Sequence, residues 1–248
     1  MLQPEISRLY KYQALNAYSL AMLVNRKMWL SKPEKFNDPF DCALTPGLAK
    51  TSEDSQHQLF QVIDELYCPK EADAVKAGMM GKNQIKPTTE DNDERVETHI
   101  AEAREMGIFS LSSTWSNILM WSHYANNHTG FCVGFERANA EENFLSHHMC
   151  RPVHYTDKYP NLNRVVHLSD VNLYTKAEDW KYEKEWRLVA KAGNQLLPLP
   201  APIRSIIFGL KASPETIATV KNAVRDLDIE FSRAVQAPGR YALEYEAI

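Results

Sequence analysis

Apolar residues alternate or cluster in short blocks at both ends of this chain, whereas between residues 51 and 107 they recur at helical spacing. At the N-terminal end, "LYKYQ" (Leu9 to Gln13) is rich in aromatics and predicts a short strand. "ALNAYSLAMLVNRK" follows with Leu15, Tyr18, Leu20, Met22 and Leu23 spaced as in a helix, and "KMWLS" predicts a second strand. The segment "TSEDSQHQLFQVIDELY" places Leu59, Val62, Ile63, Leu66 and Tyr67 on one stripe, after a capping signal at Thr51 or Ser52. "PKEADAVKAGMMGKNQ" and "DNDERVETHIAEAREMG" predict two further helices. Residues 51–107 therefore form an expected helical insertion or lid within one domain spanning 1–248.

From Gly107 the period changes again. "IFSLSS", "GFCVGFE", "CRPVHYTD", "EKEWRLVAK" and "IRSIIFGL" predict strands. "SNILMWSHYANNH" predicts a helix capped by Ser116 or Asn117, apolar nearly all round and therefore buried. "SPETIATVKNAVRDL" predicts a helix with Ser213 as N-cap and Pro214 at its first position. "IEFSRAVQ" and "RYALEYEAI" predict an antiparallel pair joined through Pro238-Gly239. Strands and helices mix without a strand–helix–strand rhythm, so the expected class is α+β with mainly antiparallel sheets.

Composition narrows the function classes. The 248 residues are 44% hydrophobic and 24% charged, enough for a sizeable core without staples. A net charge of -4 argues against general nucleic-acid binding, because phosphate affinity needs concentrated Lys and Arg. No stretch reaches the roughly 18 apolar residues of a membrane span, and the N-terminus lacks a signal-type apolar core. The four cysteines make no CxxC pair. The expectation is a soluble, cytoplasmic protein with reduced thiols and no membrane contact.

Three segments carry candidate chemistry. In "WLSKPEKFNDPFDC" (Trp29 to Cys42), Pro39 biases Asp38 towards an extended backbone, and Asn37 and Asp38 can bond nearby amides. Phe36 and Phe40 are expected to anchor this loop, which would present Ser31, Asn37, Asp38 and Asp41 as a pocket wall. In "MWSHYANNHTGFCVGFE", His123 and Tyr124 interrupt an apolar helix and need partners if buried. In "EDWKYEKEWRLV", an extended strand would point Glu183, Glu185 and Arg187 to one side, and Lys184 and Trp186 to the other. Two carboxylates beside a guanidinium read either as an ion-pair network or as a site. His123 and His128 are five apart, and "HHMC" stands without a second cluster, so no metal site is expected.

Taken together, these segments resemble a bacterial domain-of-unknown-function family, number twenty-nine seventy-one. The resemblance rests on Tyr10 to Tyr12 (YKY), Ser31 to Asp41 (with FNDPFD), Met120 to Phe135 (MWSHYA…GFCVGF) and Trp180 to Arg187 (WKYEKEWR). The order of elements is more distantly similar to mono-ADP-ribosyltransferases, which hold NAD in a cleft between two small, split sheets. That similarity implies Glu185 and Glu183 as catalytic carboxylates. It implies Tyr10, Lys11, Tyr12, Trp29, Ser31, Asn37, Asp38, His123 and Tyr124 as residues lining an NAD site, with NAD as substrate. The first strand carries Lys11 where that family has Arg or His, and Lys is a poorer bidentate phosphate ligand. The expected partner is a small-molecule nucleotide, with a protein or nucleic acid as acceptor. The competing class is a non-catalytic nucleotide- or partner-binding module in bacterial stress or phage defence. A metal hydrolase built from His123, His128, His147 and His148 ranks below both.

Overall fold

The computed structural model describes residues 2–43, 54–81, 89–158 and 168–248. The chain opens with β1 (Arg8–Gln13), α1 (Ala17–Asn25) and β2 (Lys27–Leu30). Asn16 caps α1 through a reciprocal box with Ser19, and Arg26 ends it in the left-handed region. Then come α2 (Asp54–Leu66), α3 (Pro69–Gly81) and α4 (Thr89–Glu105). The capping signal expected at Thr51 or Ser52 lies outside the described residues. β3 (Gly107–Ser112), α5 (Ile118–Tyr124), β4 (Phe131–Glu136), β5 (Cys150–Pro152) and β6 (His154–Thr156) follow. The remainder is α6 (Leu168–Tyr174), β7 (Thr175–Ala177), β8 (Glu185–Ala190), β9 (Gln195–Pro198), β10 (Ile203–Phe208), α7 (Pro214–Ala223), β11 (Glu230–Gln236) and β12 (Leu243–Ala247).

Eight strands form one sheet in the order β12-β11-β10-β4-β1-β3-β8-β5. Every pairing is antiparallel except β10 with β11, which α7 connects as a crossover. This is the expected α+β class, with two parallel pairs, β10–β11 and β6–β7, that the periodicity did not reveal. β2 with β9 and β6 with β7 make two small ribbons. The predicted strand "CRPVHYTD" is thus divided between the large sheet and a ribbon. No helix among the described residues is long and apolar enough to cross a membrane.

Strand alternation assigns each face of the sheet a different job. Leu9, Phe109, Leu111, Val133, Phe135, Trp186 and Leu188 point to one face and pack with α1, β2 and α7 residues into a continuous core. The other face holds two separate apolar clusters. Val62, Ile63 and Leu66 of α2 join Ile108, Leu173 and Val189 at one end. Met120 and Trp121 of α5 join Tyr12, Cys132, Ile207 and Ala234 at the other. Helix α2 uses the stripe predicted from its period to build that first cluster.

Two burial expectations change in the folded chain. Helix α5 is not buried all round: Met120 and Trp121 are covered, but Ile118 and Leu119 are 39% and 44% exposed. About two turns of helix lay only one side on the sheet, so apolar composition overstated its burial. Phe36 packs against the α2 cluster as expected, whereas Phe40 stands 67% exposed.

Helix α7 starts as read, with Ser213 accepting from the Thr216 amide at 3.2 Å and Pro214 at its first position. Replacing Ser213 with Ala should lower unfolding free energy by about 1 kcal/mol. A shift in the urea midpoint at unchanged slope is the expected readout, because one cap is lost and no surface is added.

A candidate site around a buried charge cluster

The site is assembled from a turn that sequence periodicity misread. Residues 178–183 form a 3-10 helix, not the start of a strand, and Lys184 adopts φ 45°. That left-handed residue turns the chain into β8 and brings Glu183 back beside Glu185. The two carboxylates therefore meet through a turn, not through strand alternation. Neighbouring backbone holds the turn in place. The Ser112 hydroxyl donates to the Glu183 carbonyl at 2.6 Å, and the Asn117 amide donates to the Tyr182 carbonyl at 3.1 Å. Asn117 also caps α5 by accepting from the Leu119 and Met120 amides. One asparagine thus fixes α5 against the glutamate-bearing turn.

Arg187 lies at the centre, with no exposed surface. Its Nε donates to Glu185 Oε1 at 2.9 Å, and its Nη2 donates to Glu185 Oε2 at 3.0 Å and to Asp41 Oδ2 at 2.6 Å. Its Nη1 donates to the Leu173 carbonyl at 2.7 Å and to Cys42 Sγ at 3.3 Å. All five guanidinium N–H groups are used, which is what a buried arginine requires. Lys176 is the second cation. Its ammonium donates to Glu183 Oε2 at 2.6 Å and Glu185 Oε2 at 3.2 Å, and lies 3.5 Å from Asp41 Oδ2. The Tyr124 hydroxyl donates to Glu183 Oε1 at 2.6 Å. The Glu185 amide donates to the Tyr155 hydroxyl at 2.7 Å.

This arrangement separates the two glutamates electrostatically. Burial alone would raise the pKa of Glu185, but Arg187 and Lys176 outweigh it and bring it down to about 2. For Glu183, burial and the neighbouring Glu185 win, and its pKa is raised despite Lys176 and Tyr124. Burial opposes the charge on Lys176, yet Glu185, Glu183 and Asp41 raise its pKa overall. Burial lowers Lys11 to about 8, with Glu185 and Glu183 opposing.

The three signature segments do meet. Asp41 from the FNDPFD loop, Tyr124 from α5 and the Glu183–Glu185 turn share this cluster, and the Asn37 side chain bonds Tyr124. Asp38 braces the loop by accepting from the Phe40 amide at 2.9 Å. His123 sits at the rim, exposed, with Nδ1 3.1 Å from the Tyr182 hydroxyl. Lys11 reaches the Ser110 carbonyl at 2.8 Å, at the seam where β1 and β3 pair only through Tyr10 and Ser112. Tyr10 faces the same side as Ser112 and is half-buried.

Other expected residues stand apart or hold structure. Tyr12 is buried edge-on against Trp121 at 5.2 Å and donates to the Thr114 carbonyl. Trp29 is 50% exposed on the β2–β9 ribbon, across from Leu196. Ser31 uses its backbone to bridge Ile108 in both directions. Lys176, Tyr155 and Ser112 were not singled out in the sequence. "YTKAE" carries no motif, and Lys176 enters the cluster only because β7 pairs with β6. All four cysteines are free thiols, and among the described residues no group of His, Cys, Asp or Glu is arranged to hold a metal ion.

The fold and cluster define an α+β protein whose signature motifs surround a buried pair of glutamates. Residues 120–188 match the family model described as "Protein of unknown function (DUF2971)". The family resemblance read from the sequence is borne out over that segment, which runs from α5 to β8. A search of curated proteins found no match, and a search of solved structures found none.

Two outcomes test this cluster. Arg187→Leu leaves Asp41 and Glu185 without their shared guanidinium and should cost about 3–5 kcal/mol, read as a large drop in melting temperature. Acid titration checks Glu185. Its folded pKa lies below its ordinary value, so its contribution to stability is present above about pH 4.5 and is lost as pH falls through about 2. Glu183 acts oppositely, its contribution declining as pH rises through its raised folded value. The acid-side component should vanish in Glu185→Gln and persist in Glu183→Gln.

Proposed function

We propose that this protein cleaves the nicotinamide–ribose bond of NAD, as an ADP-ribosyltransferase or an NAD glycohydrolase. The observation that carries the reading is the Tyr124–Glu183 hydrogen bond of 2.6 Å beside a cluster that all three signature segments share. Breaking the glycosidic bond develops positive charge on the ribose, and a carboxylate held near its hydroxyls stabilises that charge. Glu183 suits this role better than Glu185. One of its oxygens is held by a neutral phenol that a ribose hydroxyl can replace. Both oxygens of Glu185 are held by cations. Glu185, Lys176 and Arg187 then position Glu183. Tyr124, His123 and Asn37 would line the nicotinamide end; Lys11 pairs with Val133 on the apolar-core face and lies over the Phe109 ring, so it takes no part in this arrangement. A protein or nucleic acid would accept the ADP-ribose in the transferase case.

A second reading is favoured by the saturation of Glu185. Carboxylates 5% exposed at Glu185 and 3% at Glu183, with every oxygen bonded, are what a structural keystone looks like. On that reading the same surface binds a nucleotide or a partner without chemistry.

Incubation of the pure protein with NAD, with released nicotinamide measured by chromatography, separates the two. Release from the wild type, reduced about 100-fold or more in Glu183→Gln at unchanged melting temperature, supports catalysis. NAD binding by calorimetry without release supports the binding module, and neither binding nor release removes NAD from consideration.

A further inference from the structure

A polar row crosses the sheet on the same face as the glutamates. Cross-strand partners run from Glu185 to Ser112, from Ser112 to Tyr10, from Tyr10 to Gly134 and from Gly134 to Ser205. Neighbouring strands lie about 4.8 Å apart, so Tyr10 stands roughly 10 Å from Glu185 along this row. Gly134 gives the row its shape. A Cβ there would lie 2.3 Å from Ser205 Oγ and 3.2 Å from the Tyr10 ring. The absent side chain lets the tyrosine ring settle onto the sheet with the serine hydroxyl beside it.

Two facts point from this row to a ligand. Ser205 is 4% exposed, and its Oγ has no hydrogen-bond partner among the described residues. Leaving a buried hydroxyl unmatched is unfavourable unless something else completes it. Tyr10 is partly exposed while it packs against the Met120–Trp121 cluster. Its electrostatic neighbours include Arg8, Glu230 and Tyr245. Tyr245 is 58% exposed and meets Trp115 edge-on at 5.1 Å, which gives the row an aromatic flank.

We propose that Tyr10, seated on Gly134, is the floor of a second subsite on this face, and that it takes a nucleobase. The ring supplies a stacking surface, and the Ser205 hydroxyl supplies one donor or acceptor for a ring nitrogen or exocyclic group. The subsite suits a base better than a phosphate. Its nearest cation, Arg8, is committed to Glu230 by two hydrogen bonds of 2.7 and 3.2 Å. The proposal rests on the NAD reading for its direction, since a dinucleotide has a base to place at a distance from its nicotinamide. Stacking at Tyr10 would put the adenine end two strands away from Glu185.

The test uses AMP, which lacks the nicotinamide half, titrated into the whole protein by calorimetry. The wild type should bind AMP, and Tyr10→Leu should weaken it about tenfold or more. Ser205→Ala should weaken it less, without a fall in melting temperature, because it removes an unmatched hydroxyl. Glu183→Gln should bind AMP as the wild type does. Absence of AMP binding to the wild type, or equal binding by Tyr10→Leu, overturns the subsite. Nicotinamide release with no AMP binding would sink the subsite alone. AMP binding lost in Tyr10→Leu, with no NAD cleavage, would sink the catalytic reading alone.

Discussion

A single guanidinium without solvent contact organises this protein. Arg187 must be matched at all five N–H groups, and its partners come from segments far apart in the chain. Asp41 and Cys42 bring the N-terminal loop, Leu173 brings α6, and Glu185 lies two residues away on β8. The desolvation of one charge therefore ties the loop to the strand it faces. Lys176 repeats the device with Glu183 and Glu185. The result is a polar core placed between two apolar clusters on one face of the sheet.

That placement explains why the loop from Trp29 to Cys42 is so densely specified. Asp41 supplies a carboxylate to the cluster, Asp38 braces the turn, and Phe36 lies 5.4 Å from the guanidinium. Asn37, Asp38 and Asp41 each have a partner that a shift of the loop would forfeit. The cluster also sets chemistry. Two glutamates of the same type acquire opposite pKa displacements, because one faces two cations and the other faces a phenol, a lysine and its neighbour's charge.

The large sheet supplies the frame. β8 and β3 carry the cluster on one face while Trp186, Leu188, Phe109 and Leu111 seal the other. Helix α5 is fastened to the turn through Asn117, so the aromatic residues at 123–124 and 180–182 form one surface. Moving either element would disturb both.

Local pattern determined most elements. Alternation placed β1, β3, β4, β10, β11 and β12, and capping residues placed the starts of α5 and α7, because these depend on neighbours within a few residues. The chemistry-bearing residue types in the three motifs were also legible, including Asp41, Tyr124, Glu183 and Glu185. Tertiary structure alone decided the rest. A left-handed Lys184 replaced the expected strand through Glu183, since contacts from distant residues, Ser112, Asn117, Tyr124 and Lys176 among them, hold that turn. Lys176 joined the site through a ribbon pairing with no sequence signature. Tyr12 and Trp29 shared motifs with site residues yet went to a core and to an outer ribbon. Local sequence sets the backbone's period. Which carboxylate meets which cation depends on where distant segments are forced together to keep a buried charge satisfied.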